Sequence, residues 1–188
     1  MGVITGLYKG RTIKTLDDRS IRPATDRVKQ SIFNMLMNRL DLEGAHVLDL
    51  FAGSGNLGIE ALSRGAAHVT FVESNEEAAE CIERNNDTLG CEEAATILEM
   101  DAIRYIGNGG GPFDLIFADP PYAYEETVEI PGLVFGKALL QKHGYLLIEH
   151  ASDLHFISTA QYHAGPEKKF GQTMVTFFRH PRPEEPVS

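Results

Sequence analysis

Cysteine is scarce in this chain: only Cys81 and Cys91 occur among 188 residues. Two are too few for a disulfide scaffold and carry no metal-ligand spacing, so both read as small apolar residues of a reducing cytoplasm. Long apolar runs are missing too. No stretch of 18 or more apolar residues occurs, which excludes a membrane-spanning helix. The opening Met1-Gly2-Val3-Ile4-Thr5-Gly6 lacks the apolar core of a signal peptide, so export is not expected. There is no collagenous period, heptad run or fixed repeat. The 7 histidines form no H-x-E or H-E-x-x-H pattern, and no metal centre is expected. Ser54 and Ser63 have no histidine placed to activate them, which leaves hydrolase chemistry without support. Positive charge is also short: 17 Lys+Arg face 27 Asp+Glu, a net −10. That balance argues against a protein that coats nucleic acid non-specifically. What remains is an ordinary globular composition, 43% hydrophobic and 23% charged, at a length suited to one sizeable core.

The charge is unevenly spread. Residues 1–40 hold eight basic residues (Lys9, Arg11, Lys14, Arg19, Arg22, Arg27, Lys29, Arg39) and three acidic ones (Asp17, Asp18, Asp26). They therefore carry +5, and the other 148 residues carry −15. A basic arm on an acidic body predicts one polyanion-facing surface.

Residues 3–14 alternate loosely around Gly6, Lys9 and Gly10 and predict a β-hairpin. Thr25 is placed as an N-cap, and Val28, Ile32, Phe33, Leu36 and Leu40 recur at helical spacing through Arg39. Beyond Gly44 the pattern becomes strand–helix alternation. Strands are expected at 47–51, 69–72, 95–100, 113–118, 145–149 and 174–178. Helices are expected at about 57–63, 76–89 and 125–142. Such alternation implies a doubly wound α/β domain, a parallel sheet covered on both faces. The organisation expected is an N-terminal hairpin and helix over 1–43, a catalytic domain over 44–179 and a tail over 180–188.

Asp49-Leu50-Phe51-Ala52-Gly53-Ser54-Gly55-Asn56-Leu57-Gly58 places a glycine turn at the carboxyl end of the first strand, where α/β sheets bind ligands. Gly53, Gly55 and Gly58 also spell the GxGxxG of a dinucleotide fold, a weak match by itself. Glu73, at the end of the next strand, can accept hydrogen bonds from two ribose hydroxyls. That arrangement fits NAD and S-adenosylmethionine equally well. Asp49 lies inside its strand, where a carboxylate needs partners. In the adenosylmethionine reading it supports the loop and the ligand's methionine end. Asp101-Ala102 offers a carboxylate and backbone to an adenine, and Asp101 also suits a helix N-cap.

Asp119-Pro120-Pro121-Tyr122 ends the fourth strand. Two successive prolines fix the chain's direction. They aim the Asp119 carboxylate and the Pro120 carbonyl at one place, with the Tyr122 ring beside them. Those groups suit an exocyclic amine on a planar base, with the ring stacking on the base face. Glu149-His150 ends a central strand as a base-pocket or structural pair. Lys168-Lys169-Phe170-Gly171 suits an RNA contact or a hairpin with solvated lysines.

These motifs resemble the class I methyltransferases, whose amine-modifying members carry (D/N)PP(F/Y/W). The chain looks most like the ribosomal RNA small subunit methyltransferase D family. The likeness runs from Gly6-Leu-Tyr-Lys-Gly-Arg11 through Arg22-Pro23-Ala24-Thr25-Asp26-Arg27-Val28-Lys29-Gln30-Ser31-Ile32-Phe33-Asn34, the loop 49–58, Glu73, Asp101 and residues 119–122. It departs at Ala24, where the family often has threonine, at Asn56, often alanine, and at Tyr122, often phenylalanine. The resemblance implies a seven-stranded, mostly parallel Rossmann-like sheet with an antiparallel last strand. It implies a cytoplasmic, monomeric enzyme using S-adenosylmethionine to methylate guanine N2 in 16S rRNA, at position 966, on the small ribosomal subunit. By the same resemblance Asp119, Pro120, Pro121 and Tyr122 are catalytic. Arg22, Thr25, Asp49, Gly53, Ser54, Gly55, Asn56, Glu73, Asp101, Ala102 and Asp119 hold the cofactor, and Lys9, Arg11, Arg27 and Lys29 meet RNA phosphates. The rival readings are a DNA adenine-N6 methyltransferase, an NAD-dependent oxidoreductase and a catalytically silent RNA-binding module.

Overall fold

Alternate residues of a strand face opposite sides of a sheet, and here both sides are apolar. In β1 (His46–Leu50), Val47 packs into one core cluster while Leu48 and Leu50 pack into the other. The computed structural model describes residues 1–16 and 25–182. Around β1, which follows α1 (Thr25–Leu36), come α2 (Asn56–Ser63), β2 (His68–Glu73), α3 (Glu76–Leu89), β3 (Ala95–Glu99), α4 (Ala102–Asn108) and β4 (Phe113–Ala118). They are followed by α5 (Ile130–Gly136), β5 (Leu140–Ala151), β6 (His163–Phe170) and β7 (Thr173–Arg179). The sheet has seven strands in the order β3-β2-β1-β4-β5-β7-β6. β1 to β5 run parallel to one another, and β7 runs antiparallel to both β5 and β6. This is the expected mostly parallel sheet with a reversed final strand. No helix among the described residues is long and apolar enough to cross a membrane.

Several local expectations need correcting. The helix expected over 125–142 is a 3-10 turn (Glu125–Val128) and a short α5, and β5 already begins at Leu140. Pro131 stands at the start of α5, Gly132 and Gly136 weaken it, and Ala138 adopts φ +53° just beyond. β6, absent from the expected strands, is an edge strand whose Glu167, Lys168 and Lys169 are exposed. Lysines there blunt an open sheet edge, which favours the hairpin reading of 168–171. The N-terminal arm has a single antiparallel bridge, Gly2 to Thr12, rather than a full ladder.

That arm is pressed onto α2. Gly6 has φ +89°, and a Cβ there would stand 1.6 Å from the Ser63 carbonyl oxygen. Only glycine permits this approach. Leu7 N–H then donates to the Ser63 carbonyl at 2.7 Å and Tyr8 N–H to the Ser63 hydroxyl at 3.0 Å. Val3 and Ile13 of the arm are buried in the same cluster as α1 and one face of the sheet.

Candidate functional site

From β1 the sheet extends one way to β2 and β3 and the other way to β4, so β1 and β4 flank its switch point. Ligands of α/β proteins bind at the carboxyl ends of strands at such a point. The loop after β1 turns through left-handed backbone at Phe51 (φ +57°), Gly53 (φ +56°) and Gly55 (φ +79°). A Cβ on Gly53 would meet nothing within 4 Å, whereas one on Gly58 would lie 2.3 Å from the Phe71 ring. The first glycine thus opens the loop to a ligand, and the last lets α2 pack tightly on β2.

Three carboxylates gather at these strand ends. Asp49, 2% exposed, accepts the Gly58 N–H at 2.9 Å. Burial pushes its carboxyl up to about 8; the Gly58 bond opposes this, and the nearby Asp119 and Glu73 charges add to it. Glu73 accepts from Gly53 N–H and Asn75 N–H, both at 2.8 Å, so the end of β2 braces the glycine turn. Asp119, exposed at the end of β4, donates its N–H to the Leu50 carbonyl at 3.4 Å. Asp101 accepts the Arg104 N–H at 2.8 Å and caps α4, with Ala102 buried behind it.

Beside this group the Asp119–Tyr122 turn borders a cleft of about 280 Å³. Pro120, Pro121, Tyr122, Tyr124, Thr127 and His150 are among its lining residues. Tyr122 is 48% exposed, and its hydroxyl is hydrogen-bonded to that of Thr173 at the start of β7. Tyr124 packs its edge on Phe51, centroids 5.0 Å apart, joining the cleft to the glycine loop. Its hydroxyl is pushed up to about 12 by burial and by neighbouring acids, Asp101 first. His150 is buried, with Nε2 2.7 Å from the Thr176 hydroxyl and Nδ1 2.9 Å from the Ala151 carbonyl. Burial lowers its pKa, which keeps it neutral near pH 7. It therefore both lines the cleft and is a satisfied structural residue. Sequence reasoning alone misses Phe51, Tyr124, Thr127 and Thr173 as members of this site. Tyr124 has a local signal, a second aromatic two residues past Tyr122. Thr173 has none, being brought in from 51 residues away.

The arm does not behave as expected throughout. Lys29 is 1% exposed and cannot reach a phosphate. Its ammonium donates to the Gly2 carbonyl at 2.8 Å and to Asn56 Oδ1 at 2.7 Å, and lies 3.5 Å from the Glu60 carboxylate. Asn56, expected at the cofactor, spends its side-chain oxygen on Lys29. Ser54 is half-buried, and its carbonyl accepts from Asn85 Nδ2 at 3.0 Å. Arg11 is exposed but ties one end of its guanidinium to the Thr88 carbonyl at 2.7 Å, while Lys9 and Arg27 are exposed. Thr25 is the first residue of α1, and Arg22 lies outside the described residues.

The family model described as Conserved hypothetical protein 95 matches residues 1–179. The Haemophilus influenzae protein named "Ribosomal RNA small subunit methyltransferase D" is 33% identical over 172 residues, 90% of this chain and 88% of its own. The chain belongs to that methyltransferase family. A solved structure of the Escherichia coli protein yhhF superposes with a TM-score of 0.84 at 29% identity, covering 96% of this chain and 97% of that one. A SAM-dependent methyltransferase from Agrobacterium tumefaciens shares the fold at 18% identity, with a TM-score of 0.61 over 86% of this chain and 63% of its own. The family therefore has the class I methyltransferase fold, and the glycine loop and the Asp119–Tyr122 turn of this member occupy its strand ends.

Proposed function

We propose that this protein transfers a methyl group from S-adenosylmethionine to the exocyclic N2 of a guanine in 16S rRNA, presented on the small ribosomal subunit. The observation that carries this reading is the placement of Asp119-Pro120-Pro121-Tyr122 next to a glycine loop ringed by carboxylates. Glu73 and Asp119 make that edge electronegative, and Asp49 between them adds a further negative charge when a cationic ligand draws off its proton. Such a field suits a ligand bearing a sulfonium and an ammonium group and repels the pyrophosphate of NAD. The residues present fit the group, since Gly53 leaves open space above the loop. Glu73 has further lone pairs for ribose hydroxyls, and Asp101 does for an adenine amine. Asp49, Gly55 and the segment carrying Arg22 and Thr25 are assigned to the methionine end. When bound, S-adenosylmethionine supplies an electrophilic methyl group on a sulfonium centre.

The chain's own residues do the rest by position. The Asp119 carboxylate and the Pro120 carbonyl accept the two N–H bonds of the amine, which favours a pyramidal nitrogen with its lone pair facing the donor. Tyr122 stacks on the base, and its bond to Thr173 sets the angle of the ring. As positive charge develops on the amine, its proton passes by way of the exposed Asp119 carboxylate to solvent, so no strong base is needed beforehand. Lys9, Arg11 and Arg27 meet phosphates without reading sequence.

The test is transfer of labelled methyl to unmodified small subunits, naked 16S rRNA and double-stranded DNA in parallel, followed by nucleoside identification. Label in N2-methylguanosine from the subunit is the expected result. Label in N6-methyladenine of DNA would keep the chemistry and replace the substrate. Asp119→Ala should bind cofactor almost as wild type yet lose transfer; turnover surviving within a few-fold would remove Asp119 from the amine site.

A further inference from the structure

The glycine loop and the N-terminal arm share one side chain. Asn85 of α3 lies buried between them. Its Oδ1 accepts the Lys14 N–H at 2.9 Å, while its Nδ2 donates to the Lys14 carbonyl at 2.9 Å and to the Ser54 carbonyl at 3.0 Å. A side-chain amide is planar and has two N–H donors and one acceptor oxygen. One rigid group therefore serves three backbone groups drawn from two separate segments. On the arm side, Asn85 does what a neighbouring strand would do. The bridge of the arm joins Gly2 to Thr12, and two residues further on the Lys14 backbone turns to Asn85. Cys81 Sγ reaches the same carbonyl at 3.4 Å, and the Arg11 guanidinium donates to the Thr88 carbonyl at 2.7 Å. Positions 81, 85 and 88 share one face of α3, and the arm lies along it.

On the loop side, Asn85 holds the residue between two left-handed glycines. Gly53 N–H donates to Glu73 and Gly55 N–H to the Ala52 carbonyl, both at 2.8 Å. The Ser54 carbonyl between them goes to Asn85. A backbone that passes through left-handed conformations at Gly53 and Gly55 has no repeating ladder to keep its shape, and bonds from β2 and α3 keep it instead. Lys29 makes a second tie, from the Gly2 carbonyl to Asn56. The residues on both sides of Gly55 are thus connected to the arm. We propose that Asn85 is a positioning residue that couples loop to arm, so that cofactor on the loop and RNA on the arm strengthen each other's binding. This rests on the proposed reading, in which the loop takes S-adenosylmethionine and Lys9 and Arg11 meet RNA, and adds how the two surfaces communicate. The coupling is one of order. A ligand that restrains Ser54 restrains the amide that also holds Lys14, and the second ligand then has less motion to suppress. Moving either segment alone strands a backbone carbonyl at a buried donor, which is unfavourable. Each ligand raises the affinity for the other by the same factor.

The first test follows the full chain by nuclear magnetic resonance as S-adenosylhomocysteine is added. Saturation should shift the Lys14 amide and Asn85 side-chain signals and slow hydrogen exchange at the Lys14 amide by about fivefold. Asn85→Asp keeps an oxygen for the Lys14 N–H and has no N–H for Ser54. It should bind S-adenosylhomocysteine about tenfold more weakly, and its Lys14 signal should no longer respond. Asn85→Ala, which adds no carboxylate, should behave alike. A purely structural Asn85 would lower the melting temperature of both variants and leave the response at Lys14 in place. The second test measures S-adenosylhomocysteine affinity with and without unmodified small subunits. Subunits should raise it about tenfold in wild type, with the reciprocal gain in subunit affinity, and about threefold or less in the variants. If neither variant folds, the wild-type response at Lys14 and the two reciprocal factors still decide. A Lys14 signal that ignores the ligand, or a coupling below about twofold, with transfer by wild type intact, would overturn this inference and leave the activity standing. A Lys14 response that the variants lose, without subunit binding or methyl transfer by wild type, would support the tie and overturn the rRNA reading.

Discussion

Asp49 is the residue whose chemistry is most changed by the fold. Its ordinary carboxyl value is 3.8, and in the folded protein it stands at about 8. Between those values the folded state keeps a proton that the unfolded state has lost, so stability from this group is present at low pH and falls as pH rises towards about 8. Asp49→Asn retains an oxygen for the Gly58 N–H and cannot ionise. The melting temperature of the Asp49→Asn variant relative to wild type should therefore rise with pH, by about 3 °C per unit between about pH 6 and 8. A cationic ligand beside Asp49 favours its ionised form. Cofactor binding should then release protons near pH 7, in wild type but not in Asp49→Asn. Calorimetry in two buffers of different ionisation heat reads that release directly, and equal heats for wild type would detach Asp49 from the ligand.

At the scale of elements, a buried charge cluster fixes the arm, α1 and α2 together. Glu60 is fully buried and accepts from Ile4 N–H at 2.8 Å, Thr5 N–H at 3.1 Å and Arg64 Nε at 2.8 Å. Lys29 bridges this cluster to Asn56, the first residue of α2. Removing one partner of a buried pair costs about 3 kcal/mol. Lys29→Met should accordingly lower the melting temperature by about 6–12 °C, with the salt slope of RNA binding unchanged; a flattened slope would return Lys29 to the RNA interface. The sequence holds the clue to this burial. Lys29 is three, four and seven residues before Ile32, Phe33 and Leu36, on the apolar face of α1, and its charge obscures that position. Other elements are legible because their signals are local. The glycine loop, the Asp119–Tyr122 turn and the apolar strands each declare themselves within a short stretch of chain. β6 does not, since pairing with β7 and not apolar alternation makes it a strand. The expected long helix fails for the opposite reason: its apolar spacing runs on through Pro131, which separates α5 from the 3-10 turn before it, and past Gly136, where α5 ends. The Tyr122–Thr173 bond depends on tertiary structure alone, and no local pattern announces it.

For the molecule as a whole, the boundary expected near residue 43 does not separate cores. Val28, Ile32, Phe33 and Leu36 of α1, with Val3 and Ile13 of the arm, share one cluster with Leu115, Phe117 and Phe177 of the sheet. Phe33 and Phe117 meet with ring centroids 5.7 Å apart, and Arg64 at the end of α2 lies 4.4 Å over the Phe33 ring. Each such side chain contributes about 2 kcal/mol by leaving water. The six arm and α1 residues together contribute about 10 kcal/mol, comparable to the net stability of an ordinary domain. Truncation to residues 44–188 would also strip Glu60 of two backbone donors and Lys29. The full chain should therefore melt in one cooperative transition, with calorimetric and van't Hoff enthalpies in agreement, and the 44–188 fragment should show no cooperative transition. A fragment that melts cooperatively and still binds S-adenosylhomocysteine would make the arm a separable cover. A fragment that does not fold would mean that the surface carrying Lys9, Arg11 and Arg27 cannot be removed to test RNA binding, so point substitutions are the informative probes of that interface.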